Sequence, residues 1–384
     1  MKVFLIAGEE SGDILGADLM AALKESGAEE VSFSGIGGRR MEGEGVKSFF
    51  PMEELSLMGI AEIAPKVPEL LKRISETVEE IEAIQPDVVV TIDAPDFCFR
   101  VAKRLRRRGN IRPHLIHYVA PTVWAWRPGR AKKLAEIYDA VLCLFPFEPH
   151  YFEREGMEAV FTGHPMTRIF EGVDPEAFRK DLHIPSNATA IGILMGSRVG
   201  EIEKMGGVLV EAAERLIEAG VEKPCFILPT LPAFGKRVRA MMEHIPYPTI
   251  IVTDHHEKKD ALAACDVAMA TSGTVGLELA YLGVPHVIGY QMNLWTYEIL
   301  RRVITTKYIH LANIILDKPV VPELIQHHCT SEDFSERVLR LLNDKDQRDF
   351  QLKAFESVRE KISSNQGGKW PAEVAADYIL QKLT

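Results

Sequence analysis

Short apolar runs alternate along this chain with longer stretches of helical periodicity, and the alternation is played twice. Val3–Ala7, Val31–Ser34, Val88–Ile92, Leu115–Val119, Ala140–Leu144 and Val160–Phe161 read as one set of strands. Ile191–Met195, Cys225–Leu228, Thr249–Val252, Val267–Ala270 and His286–Gly289 read as a second. A β-branched run such as VVVTI, residues 88–92, is typical of a strand buried on both faces. Helix-length segments between such strands imply βαβ units and a parallel sheet. Between the two sets lies EGVDPEAFRKDLHIPSN, residues 171–187, polar and carrying Pro175 and Pro185. It reads as a linker with a short helix inside it.

The expected fold is therefore α/β, with two Rossmann-like domains facing a cleft. The first spans residues 1–172 and the second 188–330, and residues 331–384 form a helical C-terminal segment whose docking the pattern leaves open. A length of 384 residues suits two domains. The five cysteines are scattered, and none forms a CxxC pair. Buried, inert thiols are the expectation, with neither a disulfide framework nor a thiolate metal site. The apolar run Val3–Ala7 is too short for a signal segment or a membrane span, so a cytoplasmic protein is expected. A net charge of −10 argues against nucleic acid as a partner. Against that balance, residues 100–133 hold eleven Lys or Arg and no Asp or Glu. Such a patch attracts phosphates or anionic lipid headgroups.

In open parallel sheets, ligands bind beyond the carboxyl ends of strands, and that rule selects the residues to weigh. GEESGD, residues 8–13, follows the first strand; Ser11 there can cap the next helix, and Asp13 lies in the same turn. TIDAPDF, residues 91–97, puts Asp93 at a strand end, where a carboxylate can take a proton from a sugar hydroxyl. Asp96 is placed to cap the following helix. HYVAPTVWAWRPGR, residues 117–130, offers Trp124, Trp126, Arg127 and Arg130 to a sugar or an acyl chain. MGSR, residues 195–198, offers a tight turn and, in Arg198, a fork that matches a diphosphate. TSGTVGLE, residues 271–278, turns through Ser272, Gly273 and Thr274 into a helix whose first amides suit a pyrophosphate. Glu278 sits one turn up the same face, where it could accept bonds from two ribose hydroxyls. Leu57, Met58, Ile60 and Ile63, with Lys66, Lys72 and Arg73 nearby, read equally well as a membrane-facing patch or as a buried helix face. His255–His256 and His327–His328 lack the spacing of a metal pair, so no metal is expected.

Taken in order, GEESGDILGADL, MEELSLMGIAEI, PDVVVTIDAPDF, HYVAPTVWAWR, FPFEPHYF, TGHPM, GSRVGEIE, SGTVGLELA and KYIHLANII resemble the lipid-A-disaccharide synthase family. The resemblance runs through most of the chain and leaves the last fifty or so residues with little signature. It implies a GT-B type fold and an inverting, metal-independent hexosyltransferase with no cofactor. The implied donor is UDP-2,3-diacylglucosamine and the implied acceptor a lipid-linked sugar phosphate, 2,3-diacylglucosamine 1-phosphate. The products would be a β-1,6-linked disaccharide 1-phosphate and UDP. By motif, Asp93 becomes the general base; Arg198 a diphosphate or acceptor-phosphate contact; and Ser272, Gly273, Thr274 and Glu278 the UDP cradle. Asn313 falls at a motif position without an assigned role. The resemblance further implies peripheral contact with an anionic membrane, on the inner face of the inner membrane, and a possible homodimer. Two departures are LMGSR for LPGSR and GEESGD for GETSGD. Two rival readings share the architecture: another UDP-sugar enzyme, such as an epimerase or a transferase with a different lipid acceptor, and a non-catalytic nucleotide-sugar binder.

Overall fold

Six strands make the first sheet: β1 (Lys2–Ala7), β2 (Ser32–Ile36), β3 (Val88–Ile92), β4 (His114–Tyr118), β5 (Ala140–Cys143) and β6 (Glu158–Phe161). Six more make the second: β7 (Thr189–Leu194), β8 (Pro224–Pro229), β9 (Thr249–Val252), β10 (Val267–Thr271), β11 (His286–Tyr290) and β12 (Glu323–Ile325). The structure is a computed structural model. It describes residues 1–384 apart from 27–29, 56–59, 126–128, 364–366 and 384, with no side chains described at 60–67, 294–296 and 299–300. The apolar calls at Leu57 and Met58, and those at Trp126 and Arg127, lie outside the described residues; so do the side chains of Ile60, Ile63 and Lys66.

The first sheet runs β2-β1-β3-β4-β5-β6 and the second β12-β11-β10-β7-β8-β9. Every pairing is parallel. Strand order reverses once in each sheet, between β1 and β3 in the first and between β7 and β10 in the second. Chains diverging from such a point leave a crevice at the carboxyl ends of the two strands. Gly8 and Asp93 follow β1 and β3; Arg198 and Ser272 follow β7 and β10.

Burial explains the strands. All five residues of β3 and all five of β10 are buried, as two-sided cover by helices requires. The first core gathers Phe4, Ile6, Val89, Leu115 and Val141 from the sheet against Ile74, Val78, Phe97 and Leu105 from helices. The second gathers Ile191, Phe226, Met269 and Val287 against Met205, Leu209, Val238 and Phe334. Each fully buried Leu, Ile or Phe contributes roughly 1.5–3 kcal/mol. The five cysteines are free and buried within these layers.

The chain divides into two compact units. Residues 1–167 with 362–384 form one, and residues 168–361 the other. Residues 171–187 lie inside the second unit: the helix Pro175–Asp181 is capped by the Asp174 carboxylate, and Arg179 pairs with Asp266 at 2.7 Å. The C-terminal segment is three helices, Ser331–Asn343, Lys345–Ile362 and Pro371–Leu383. The first two stay in the second unit, where Arg215 Nε donates to Ser331 Oγ and the Gln351 amide brackets the His286 backbone. The last returns to the first unit and packs against the helix Glu10–Glu25, with Lys382 pairing Glu158 at 2.8 Å. Among the elements that escaped the sequence reading are β12, the short helices Arg39–Gly43, Pro149–Glu153 and Met166–Ile169, and the helices Leu294–Val303 and Leu311–Leu316.

Candidate active site

The buried run of β3 ends because the backbone turns over. Asp93 has φ of 50° and Ala94 of 41°, and Pro95 then opens the helix Pro95–Arg108 at a position that needs no N–H. On the neighbouring strand Val119 has φ of 77°. Left-handed backbone costs a non-glycine residue about 1–2 kcal/mol and is rarer still for a β-branched one. Three such residues side by side at the ends of β3 and β4 mark a place where geometry outranks local stability. The surroundings hold the turn. The Asp93 amide donates to Tyr118 O at 3.0 Å and that of Val119 to Leu142 O at 3.1 Å. Gly8 leaves room for it: a Cβ there would lie 2.6 Å from the Ala94 Cβ.

The Asp93 carboxyl is half-buried. Burial raises its pKa above the ordinary carboxylate value, opposed by the Ala94 amide. Among the described residues it has no ion-pair partner. Beneath it, the Thr91 hydroxyl lies 2.8 Å from His117 Nδ1 and 3.0 Å from Tyr138 Oη. Burial lowers the His117 pKa to about 3, so this knot is neutral.

Several expected site residues have other employment. Ser11 does not cap the helix after β1: that helix begins at Glu10, Glu9 holds the N-cap position with no side-chain capping bond, and Ser11 is exposed in its first turn. Asp13 is buried, and its carboxylate accepts from the amides of Gly38, Arg40 and Met41. It ties β2's exit to the first helix and has little capacity left for a ligand. Asp96 does not cap its helix either, because Ala94 holds the N-cap position. Its side chain is 90% exposed and lies 3.7 Å from Arg130. Trp124 is buried, and its Nε1 donates to Glu148 at 3.1 Å. Glu148 also accepts from the Leu144 and Phe145 amides, and burial pushes its pKa up to about 7.

In the second unit, β7 ends in the turn Gly196–Arg198. Gly196 has φ of 107°, and a Cβ there would meet the Glu201 side chain at 2.6 Å. The Glu201 carboxylate closes the turn, accepting from the amides of Ser197 at 2.9 Å and Arg198 at 3.3 Å and from Arg198 Nη1 at 3.1 Å. The turn expected to hold phosphate is thus filled by the chain's own carboxylate. Arg198 itself stays 73% exposed. One strand over, Gly273 is the N-cap of the helix Thr274–Leu282 and no side chain caps it. Gly273 and Thr274 are exposed, with Ser272 half-buried. Glu278 is paired: Lys258 Nζ lies 3.1 Å from Oε1 and 2.7 Å from Oε2.

Behind that helix His310 packs so tightly on Gly276 that a Cβ there would lie 2.5 Å from Nε2. His310 Nδ1 accepts from the Ala312 amide, so its Nε2–H faces His286 Nε2 at 2.8 Å. Asn313 is saturated. Its Nδ2 donates to Val321 O and Glu323 Oε1, and its Oδ1 accepts from the Val320 and Val321 amides. It fastens the 317–323 loop. Sequence reasoning missed Lys258, Glu148 and His310. FPFEPHYF and KYIHLANII contain the last two, but nothing in their spacing names a partner.

Two parallel sheets, each with polar residues at its switch point, define the class: a GT-B type fold shared by nucleotide-sugar transferases and epimerases. The chain matches the kitacinnamycin glycotransferase structure with a TM-score of 0.66 at 15% identity, covering 100% of this chain and 99% of that one. It matches the Neisseria meningitidis UDP-GlcNAc 2-epimerase bound to UDP-GlcNAc with a TM-score of 0.64 at 11% identity, covering 100% and 99%. Within that class the chain belongs to the lipid-A-disaccharide synthetase family, whose profile matches residues 3–372. The lipid-A-disaccharide synthase of Rhodospirillum centenum is 45% identical over 389 residues, covering 100% of this chain and 95% of its own. That of Pseudomonas aeruginosa (strain PAO1) is 38% identical over 387 residues, covering 99% and 98%.

Proposed function

We propose that this protein transfers 2,3-diacylglucosamine from its UDP donor to the 6-hydroxyl of 2,3-diacylglucosamine 1-phosphate, forming the β-1,6 disaccharide 1-phosphate and releasing UDP. The observation that carries the reading is Asp93: a half-buried carboxyl of raised pKa, held in strained backbone at the first sheet's switch point. Asp93 takes the proton of the 6-hydroxyl as its oxygen attacks the anomeric carbon, which inverts that centre. The first unit is the acceptor's. The second is the donor's: the exposed amides of Gly273 and Thr274, the Ser272 hydroxyl and the Arg198 guanidinium receive the diphosphate as charge develops on it. Glu278 accepts from the ribose hydroxyls, with Lys258 keeping its carboxylate in place.

Peripheral attachment to the inner face of an anionic inner membrane suits lipid substrates. Among the described residues no helix is long and apolar enough to cross a membrane. Leu71 is 45% exposed, beside a Lys72 side chain that is 72% exposed, so an interfacial face is available on the helix Ile60–Ile84.

The test is UDP release by the purified protein. Both diacylated substrates together should release UDP, and deacylated analogues should not. No release with the diacylated pair at any acyl length overturns the reading, and release only with another acceptor points to a different transferase of this fold.

A further inference from the structure

The helices Pro95–Arg108 and Gly129–Ala135 flank a groove of about 890 Å³. Its lining has six cations, Arg100, Lys103, Arg106, Arg107, Arg130 and Lys133, and two carboxylates, Asp96 and Glu136. Phe99, Leu134 and Ile137 add apolar surface. The positive charge is only partly answered from within. Arg106 is held by Asp139 and the Ile137 carbonyl, and Arg130 lies over the Phe99 ring with Asp96 at 3.7 Å. Arg100, Lys103, Arg107 and Lys133 have no carboxylate partner among the described residues. The other side of the same helix behaves differently: Arg108 is bracketed by Glu79 at 3.4 Å and Glu82 at 2.8 Å.

We propose that this groove is the seat of the acceptor's phosphate, a sugar-phosphate monoester. The inference rests on the transferase reading above and adds residues to it. Arg100, Lys103 and Arg107 follow one another at i, i+3 and i+7, one face of one helix. Helical side chains lean toward the helix N-terminus, and here that end begins two residues after Asp93. Arg100 and Lys103 therefore lean toward the end of the helix that follows Asp93. The 6-hydroxyl and the 1-phosphate of a hexose flank the same ring oxygen, so an acceptor presenting its hydroxyl to Asp93 carries its phosphate a short way off. Arginine forks match phosphate oxygens in pairs. Like charges left unpaired along one face weaken a helix unless a ligand neutralises them.

The test compares wild type with the triple variant Arg100→Ser/Lys103→Ser/Arg107→Ser in detergent micelles. Binding of 2,3-diacylglucosamine 1-phosphate and of its dephosphorylated counterpart is measured by equilibrium dialysis, and UDP release separately. Wild type should prefer the phosphorylated sugar, and the variant should lose that preference by about tenfold or more. The variant's thermal midpoint should not fall, because repulsion has been removed. Equal weakening toward both sugars, or an unchanged preference, overturns the inference. A loss confined to vesicles containing phosphatidylglycerol, absent in detergent, also overturns it and assigns the groove to membrane headgroups. Phosphate-dependent binding without UDP release would uphold the groove and defeat the transferase reading.

Discussion

The two switch points are prepared in opposite ways. At the first, Asp93 is half-buried with no cation beside it among the described residues, on backbone that costs energy to hold. At the second, the charged groups are already matched: Arg198 with Glu201 and Glu278 with Lys258. The difference follows the chemistry proposed for each. A base must be available to take a proton, and an adjacent cation would lower its pKa and weaken it. A diphosphate site must keep its arginine and its carboxylate oriented before a ligand arrives, and internal pairs do that without strain.

If the contrast is real, substitutions at the first point should act on rate and those at the second on donor binding. Asp93→Asn should lower kcat by about 10²–10⁴ while leaving UDP affinity unchanged, read by turnover and by UDP titration. Gly8→Ala should lower kcat on the order of 10², because its Cβ displaces the Asp93–Ala94 turn. Adding Ala94→Gly removes the opposing Cβ and should restore much of the rate; no recovery in the double variant would break the link between Gly8 and the base. Lys258→Met should raise the donor KM by about tenfold, with the acceptor KM unmoved and Lys258→Arg retaining most of the affinity. A fall in kcat alone would place Lys258 with the chemistry instead.

The smallest effect concerns Glu148, which holds the Trp124 loop. Its folded pKa, about 7, stands above its ordinary value of 4.5. Folding therefore takes up a proton, and the stabilisation is full below about 4.5 and lost as pH rises through 7. Thermal midpoints from pH 4 to 8 should show this decline in wild type and lose it in Glu148→Gln.

Much of this was legible in the sequence. Parallel strands buried on both faces announce themselves as continuous apolar runs, which is why VVVTI at β3 was placed to the residue; TIIV at β9, a partly buried edge strand, was placed as well by its β-branched run. β12 has three residues, too few for any pattern. The last helix was read as helix, but where it docks was unreadable, since its partner is the helix Glu10–Glu25 at the far end of the chain. Strand ends gave the positions of Asp93, Arg198 and Ser272–Thr274, because connectivity alone fixes where such crevices lie. Partners were hidden. Lys258 lies 20 residues from Glu278, and Trp124 lies 24 from Glu148. Ser11 was misjudged as a cap because the helix starts a turn earlier than its apolar periodicity does.

The pH dependence of kcat/KM for UDP release tests the central claim most directly. An essential carboxylate base, kept from cations and partly from water, should give an acid limb whose inflection lies above the ordinary carboxylate range. An inflection at or below that range, or a flat acid side with turnover intact, would contradict the role assigned to Asp93.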